Sequence, residues 1–153
     1  MTSPEERLAE LGHSVPSVVP PVAAYTPAVR SGSLVFTAGQ VPMRDGELVA
    51  SGKVGGDVSL EQATECAQQC ALNALAAVKA EVGELATVRR VVKAVVFVAS
   101  TPDFTGQPGV ANGASELLAA AFGDAGVHAR SAVGVASLPL DSPVEVELVV
   151  EVD

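Results

Sequence analysis

Ser59 to Gly83, SLEQATECAQQCALNALAAVKAEVG, is the longest stretch of the chain that keeps one period. Leu60, Ala63, Ala67, Cys70, Ala71, Ala74, Leu75, Val78 and Val82 recur at helical spacing, while Glu61, Glu65, Gln68, Gln69 and Lys79 fall mostly elsewhere. That is one apolar face of a helix. Ser59 can cap its first turn and Gly83 can end it.

Working outward, Val88 to Ala99 is a Val-rich strand, and Pro102 and Gly106 punctuate a loop. Pro108 to Phe122 reads as a second helix closed by Gly123, despite Gly109 and Gly113 in its interior. Strands follow near Ser131 to Ala136 and Val144 to Val150. Upstream, Ser33 to Ala38 is β-prone, and Val41 to Val49 bends at Asp45-Gly46, a strong hairpin signal. The four prolines Pro16, Pro20, Pro21 and Pro27 favour extended chain from Ser14 to Pro27. Ser3-Pro4-Glu5-Glu6 reads as a capping box that starts a short helix stopping at Gly12. The order strands, helix, strand, helix, strand, strand predicts an α+β fold, with about six strands in a mixed sheet and both long helices on one face.

A chain of 153 residues that is nearly half apolar is sized for one domain spanning 1–153, residues 1–15 being an N-terminal helical extension. With no Trp and one Tyr, its core must be built from Val, Leu and Ala. A net charge of -9 argues against nucleic acid, because phosphate binding needs clustered Lys and Arg, and Arg89, Arg90 and Lys93 read as a solvated strand start. Cys66 and Cys70 share a helix face as small buried hydrophobes rather than a redox pair. His13 and His128 lie in distant segments, show no ligand spacing, and read as surface residues, so no metal is expected. Glu5 and Glu6 stand where a signal peptide carries positive charge, and no apolar run reaches spanning length, so the expected setting is the cytoplasm without membrane contact.

Arg130 is the only Lys or Arg after Lys93, among eight Asp and Glu. It opens Ala129-Arg130-Ser131-Ala132-Val133-Gly134-Val135-Ala136-Ser137-Leu138-Pro139, ahead of the alternating strand from Val144. A lone guanidinium can pair with a carboxylate of its own strand, or its planar donor fork can hold the carboxylate of a small ligand. Ala132, Gly134 and Ala136 share its strand face and leave either a shallow floor for a ligand or room for a tightly packed neighbour. Glu145, Glu147 and Glu151 share one face of the last strand. They form a wet face, or else Glu145 or Glu147 stands near Arg130 across a hairpin and works as acid or base. Tyr25, Gly39 and Asn112 are weaker signals, each with a plain structural explanation.

Taken together, Thr37-Ala38-Gly39-Gln40-Val41-Pro42, Cys70-Ala71-Leu72-Asn73-Ala74-Leu75, Val91 to Phe104, Ala129-Arg130-Ser131 through Leu138-Pro139, and Val144-Glu145-Val146-Glu147 resemble the Rid family, the RidA/YjgF-like reactive-intermediate deaminases. The similarity runs from about Tyr25 to the C-terminus. It implies a chorismate-mutase-like α+β fold, a homotrimer with clefts between subunits, and hydrolysis of enamines and imines such as 2-aminoacrylate to 2-oxo acids and ammonia, with no metal or organic cofactor. It also implies that Arg130 grips the substrate carboxylate and Glu145 positions water. Tyr25 would stand at the cleft mouth, Gly39 would give a backbone contact, Asn112 a polar contact, and Ala132 backbone groups. The chain departs from the deaminase pattern at Ala38, where Ser is common, and at Ala132, where Cys is common. It also has a longer Gly106 to Gly113 segment, implying a reshaped entrance. The alternatives are a 2-oxo-acid-binding protein without turnover, which Ala38 and Ala132 favour, and the ribonuclease or translation-inhibitor activity of some relatives, which the acidic composition disfavours.

Overall fold

The last strand alternates almost perfectly. Val144, Val146, Leu148, Val150 and Val152 are buried, and the residues between them are half-buried. The computed structural model, which describes residues 2–21 and 23–153, shows where each face of that strand goes.

In chain order the elements are α1 (Pro4–Glu10), β1 (Ala28–Ser31), β2 (Leu34–Thr37), β3 (Met43–Arg44), β4 (Glu47–Leu48), α2 (Leu60–Val82), β5 (Val88–Ala99), α3 (Gln107–Phe122), β6 (Ala129–Val135) and β7 (Val144–Val152). A five-stranded sheet runs β1-β2-β7-β5-β6, and β3 and β4 form a separate ribbon. All pairs in the main sheet are antiparallel except β5 with β6. The apolar face of β7 lies in one core with the stripes of α2 and α3, which is why both helices cover one side. The α+β class and the helix placement are those expected from the sequence.

The strand count and pairing need two corrections. The chain from 41 to 49 does not join the main sheet as long strands. Asp45 and Gly46 both have positive φ, 54° and 82°, closing a tight turn between two-residue strands. Buried Asn73 then donates to the carbonyls of Val41 and Met43, both at 3.0 Å, tying the ribbon to α2. In its place β1, in a stretch given no strand above, pairs with β2 across the turn at Gly32. The second correction is that β6 and β7 are not a hairpin. They flank β5 on opposite sides, because the 3-10 turn Pro139–Asp141 carries the chain past the end of β5. Gly52 N–H donates to the Asp141 carbonyl and Lys53 pairs with its carboxylate, both at 2.9 Å, fixing that crossing.

The expected capping box forms at Ser3/Glu6, and Ser59, expected as a cap, forms a second box with Gln62. The first helix docks through fully buried Leu8 and through Arg7, whose Nη1 donates to the Ala121 carbonyl at 3.2 Å. Between it and β1 the described residues form no helix or strand, consistent with the prolines, and Val22 lies outside the description. Cys66 and Cys70 are free and buried, and burial pushes the Cys66 thiol up to about 11. Arg89 and Arg90 are exposed at the start of β5, as expected of a solvated strand start. The Gly106 to Gly113 segment is the cap and first turns of α3, rather than a loop. A Cβ at Gly113 would overlap the Thr64 carbonyl oxygen, so glycine lets α3 lie close on α2. The opposite face of the sheet, with Val29 (53% exposed), Phe36 (43%) and Val133 (43%), has no helix over it.

Gly113→Ala is expected to destabilise the fold by about 1–3 kcal/mol through overpacking. Gly109→Ala meets only Leu60 Cδ1 at 3.4 Å and should be neutral or gain up to about 1 kcal/mol of helix propensity. Urea unfolding midpoints of the two variants decide this, and equal midpoints would refute the close-approach role of Gly113.

Candidate functional site

The position of Arg130 is set by β6, an edge strand. Arg130 pairs with Ala94 of β5, which pairs with Leu148 of β7. Both partners are buried, so Arg130 points to the helix-covered side of the sheet. There its Nη1 donates to Asn112 Oδ1 at 2.9 Å and to Ser115 Oγ at 3.1 Å, and Nη2 makes a long 3.4 Å contact to the Pro108 carbonyl. None of the ion pairs among the described residues includes Arg130. A guanidinium has five N–H donors. Both hydrogens of Nη1 are engaged, whereas Nε–H and one Nη2 hydrogen have no partner among the described residues. Nε and Nη2 form one edge of the plane, the geometry that takes a carboxylate with two hydrogen bonds. The structural pairing with a strand carboxylate that the sequence allowed is therefore not made.

Two further residues belong to this group. Ser115 Oγ lies 2.9 Å from His128 Nε2, and His128 Nδ1 lies 2.6 Å from the Gly126 carbonyl oxygen. His128, read from the sequence as a surface residue, is half-buried and bonded at both ring nitrogens. A signal for both residues was present: Ser115 is three residues after Asn112 on one helix face, and His128 is two before Arg130 in an extended segment. Arg130, Ser115 and His128 border a depression of about 220 Å³, walled otherwise by Ala119, Gly126 and Val127. Ala132, next on the same strand face, is half-buried against the core. Farther along, a Cβ at Gly134 would meet Gln107 Nε2 and Ser100 Oγ, and Gly134 and Ala136 border a second depression of about 450 Å³ with those two residues.

Gly39 and Glu145 form a second group. Ala38 N–H donates to the Pro27 carbonyl at 2.7 Å, and Gln40 exchanges two backbone hydrogen bonds with Val146. Gly39 is thus pinned over the start of β7, where any Cβ would collide with Glu145 Oε1. The Glu145 carboxyl is half-buried and has no hydrogen-bond or ion-pair partner among the described residues. Burial, with Glu147 adding repulsion, pushes its pKa above the ordinary value of 4.5. Tyr25 is 49% exposed, two residues before the Pro27 carbonyl that holds Ala38.

Within one chain the two groups stay apart. Glu145 pairs with Phe97, and Phe97 with Val133, three residues along β6 from Arg130. The odd offset puts the two side chains on opposite faces, and strand spacing places their Cα atoms about 14 Å apart. The expected approach of Glu145 to Arg130 across a hairpin does not occur, because β5 lies between their strands. No cluster of three or more His, Cys, Asp or Glu placed to hold a metal occurs among the described residues, and no helix described is long and apolar enough to cross a membrane.

Comparison with known proteins places this architecture. Residues 16–152 match the family model described as Endoribonuclease L-PSP. Protein TCP17 of Trypanosoma cruzi is 41% identical, over 95% of this chain and 92% of its own. A 2-iminobutanoate/2-iminopropanoate deaminase of Dermatophagoides farinae is 32% identical, over 92% and 94%. Among solved structures, a protein of unknown function from Agrobacterium tumefaciens superposes with a TM-score of 0.93 at 46% identity, covering 98% of this chain and 92% of that one. A match over nearly the whole chain, on the sheet and helices just described, makes this protein a member of the Endoribonuclease L-PSP family, the YjgF/RidA group.

Proposed function

We propose that the protein hydrolyses small carboxylate-bearing enamines and imines, of the 2-aminoacrylate type, to 2-oxo acids and ammonia. The observation that carries this reading is that Arg130, held in place through Nη1 by neutral partners, keeps Nε–H and one Nη2 hydrogen without a partner among the described residues. A carboxylate on that edge presents the adjacent C=N carbon at a fixed position. An imine is already electrophilic, so its hydrolysis needs orientation, a placed water and proton transfer more than a strong nucleophile. Glu145 supplies the second requirement: a half-buried carboxyl with a raised pKa and no partner is suited to hold water and take its proton. The relative named as an iminobutanoate/iminopropanoate deaminase supports this substrate class.

The separation of the two groups calls for more than one chain. In this reading three protomers pack through the uncovered sheet face carrying Val29, Phe36 and Val133. Arg130, Asn112 and Ala132 of one protomer then meet Gly39 and Glu145 of the next at a cleft, with Tyr25 at its mouth. Arg130 on an edge strand is accessible to such a neighbour. Nucleic acid fits poorly, because the site offers one cation in a chain of net charge -9.

With enzymatically generated 2-aminoacrylate, Arg130→Ala should lower kcat/KM by about 100-fold or more, as loss of a bidentate charged contact requires. Glu145→Gln should lower kcat by about 100-fold or more. Wild-type protein that binds pyruvate without accelerating keto-acid release would leave only a binding role. Mass measurement in solution should give three chains, and a monomer would remove the cleft.

Glu145 also makes a stability prediction. Its folded pKa is raised, so the native state holds more protons than the unfolded chain between the ordinary value and the raised one. The stability tied to this group is present in full below the ordinary value and is lost as pH rises through the raised one. Glu145→Gln should therefore have a Tm at neutral pH no lower than wild type, with a shallower fall as pH rises above the ordinary carboxyl value. A lower Tm for the variant at neutral pH would mean that the charge is compensated.

A further inference from the structure

We propose that Ser115 and His128 form a proton relay for the reaction at Arg130. This rests on the reading of Arg130 as the carboxylate anchor and assigns the proton-transfer partner of that same site. The polarity of the hydrogen-bond chain follows from donor chemistry alone. A carbonyl only accepts, so at 2.6 Å from the Gly126 oxygen His128 Nδ1 carries a hydrogen, and in the neutral ring Nε2 is the acceptor. A guanidinium only donates, so Ser115 Oγ accepts from Arg130 Nη1 at 3.1 Å. The serine hydroxyl hydrogen is then directed to Nε2 at 2.9 Å. The chain reads Arg130 N–H to Ser115 O–H to His128 Nε2, with Nδ1–H fixed on a backbone oxygen. This is the arrangement of a hydroxyl, a base and an orienting group that activates hydroxyls elsewhere, with a carbonyl as orienter. It borders a depression of about 220 Å³ that reaches Arg130. The neighbouring positive guanidinium also favours release of the serine proton.

The steps balance as follows. Water adds to the iminium carbon, the C=N electron pair moves to nitrogen, and the water proton passes to Glu145, giving a neutral carbinolamine. In the collapse, Glu145 returns that proton to nitrogen as the C–N bond breaks and ammonia leaves. The carbinolamine hydroxyl becomes the carbonyl, and its proton goes to Ser115 while the serine proton moves to His128 Nε2. His128 then releases one proton to solvent, the proton with which the iminium arrived. Ser115 is the residue that touches the reacting group; His128 acts through it.

The test combines turnover of 2-aminoacrylate, its pH profile, pyruvate affinity by calorimetry, and the ¹⁵N resonances of His128. Ser115→Ala and His128→Gln are expected to lower kcat by about 100-fold. Pyruvate Kd of His128→Gln should stay within about threefold of wild type, Ser115→Thr should restore most activity, and one ionisation should vanish from the kcat profile of His128→Gln. The ¹⁵N resonances should show the neutral ring as the Nδ1–H tautomer. Full activity in His128→Gln, an Nε2–H tautomer, or pyruvate affinity falling in parallel with kcat in His128→Gln would overturn the relay, the last result showing that His128 merely props Ser115 and Arg130. If instead wild type releases no keto acid from the imine, the deaminase reading fails and the relay fails with it; active wild type with active Ser115 and His128 variants sinks the relay alone.

Discussion

The insertion of β7 between β2 and β5 is the constraint on which the rest of the structure depends. Nine residues at the end of the sequence hydrogen-bond to strands on both sides, and their buried face anchors the two long helices. The same insertion decides where functional groups can go. Glu145 begins β7 and faces the uncovered side, whereas Arg130 begins β6, two strands away, and faces the helices. No side-chain rotation brings the two together within one chain, because a sheet one residue thick lies between them. The apolar surface left bare on the Glu145 side is what a second chain would cover.

The electrostatics of the Arg130 group favour a small ligand over a large one. Repulsion from a chain of net charge -9 is screened beyond about 8 Å at physiological salt. A three-carbon carboxylate feels it only briefly, and then forms charge-assisted hydrogen bonds worth about 1.5–3 kcal/mol each. A polyanion would meet a surface on which Asp and Glu outnumber Lys and Arg two to one. Orientation of the cation by Asn112 and Ser115, both neutral, leaves its charge unspent; a strand carboxylate in their place would have cancelled it. The depth of the site is modest, so discrimination among carboxylates falls to the small apolar walls at Ala119 and Val127.

Periodicity made the helices, their caps and the two-faced last strand legible, since each is a local pattern whose physical cause lies within one turn or one pleat. It could not say which strands are neighbours. Sequence adjacency suggested a β6/β7 hairpin, and the turn at Leu140 and Asp141, both at positive φ without being glycine, sent the chain across β5. β1 escaped notice because four residues after a proline-rich stretch carry too little alternation to register. At the candidate site, the resemblance gave Asn112 and Gly39 only as separate ligand contacts; that Asn112 holds Arg130 and that Gly39 lies against Glu145 are contacts the sequence did not announce. Spacing relates Ser115 to Asn112 and His128 to Arg130, but nothing in the sequence relates the helix to the strand. Only the close packing of α3 against β6 makes them neighbours.

That packing bears on the two positions at which the chain departs from the deaminase pattern. Ala38 and Ala132 lack a hydroxyl and a thiol, and both would have projected from backbone near the two half-sites. The thiols that the chain does have, Cys66 and Cys70, lie buried on α2, where desolvation keeps them protonated and the Cys70 thiol donates to the Val144 carbonyl. A hydroxyl and a titratable ring do exist beside Arg130, but they come from α3 and from the turn before β6. Supplying them from a helix has a geometric consequence. Ser115 and Asn112 sit one turn apart and fix the same guanidinium nitrogen, so the polar equipment moves as a unit with α3, whose own seat on α2 depends on the absence of a side chain at Gly113. Close helix packing and the free edge of Arg130 are therefore one structural fact seen at two places.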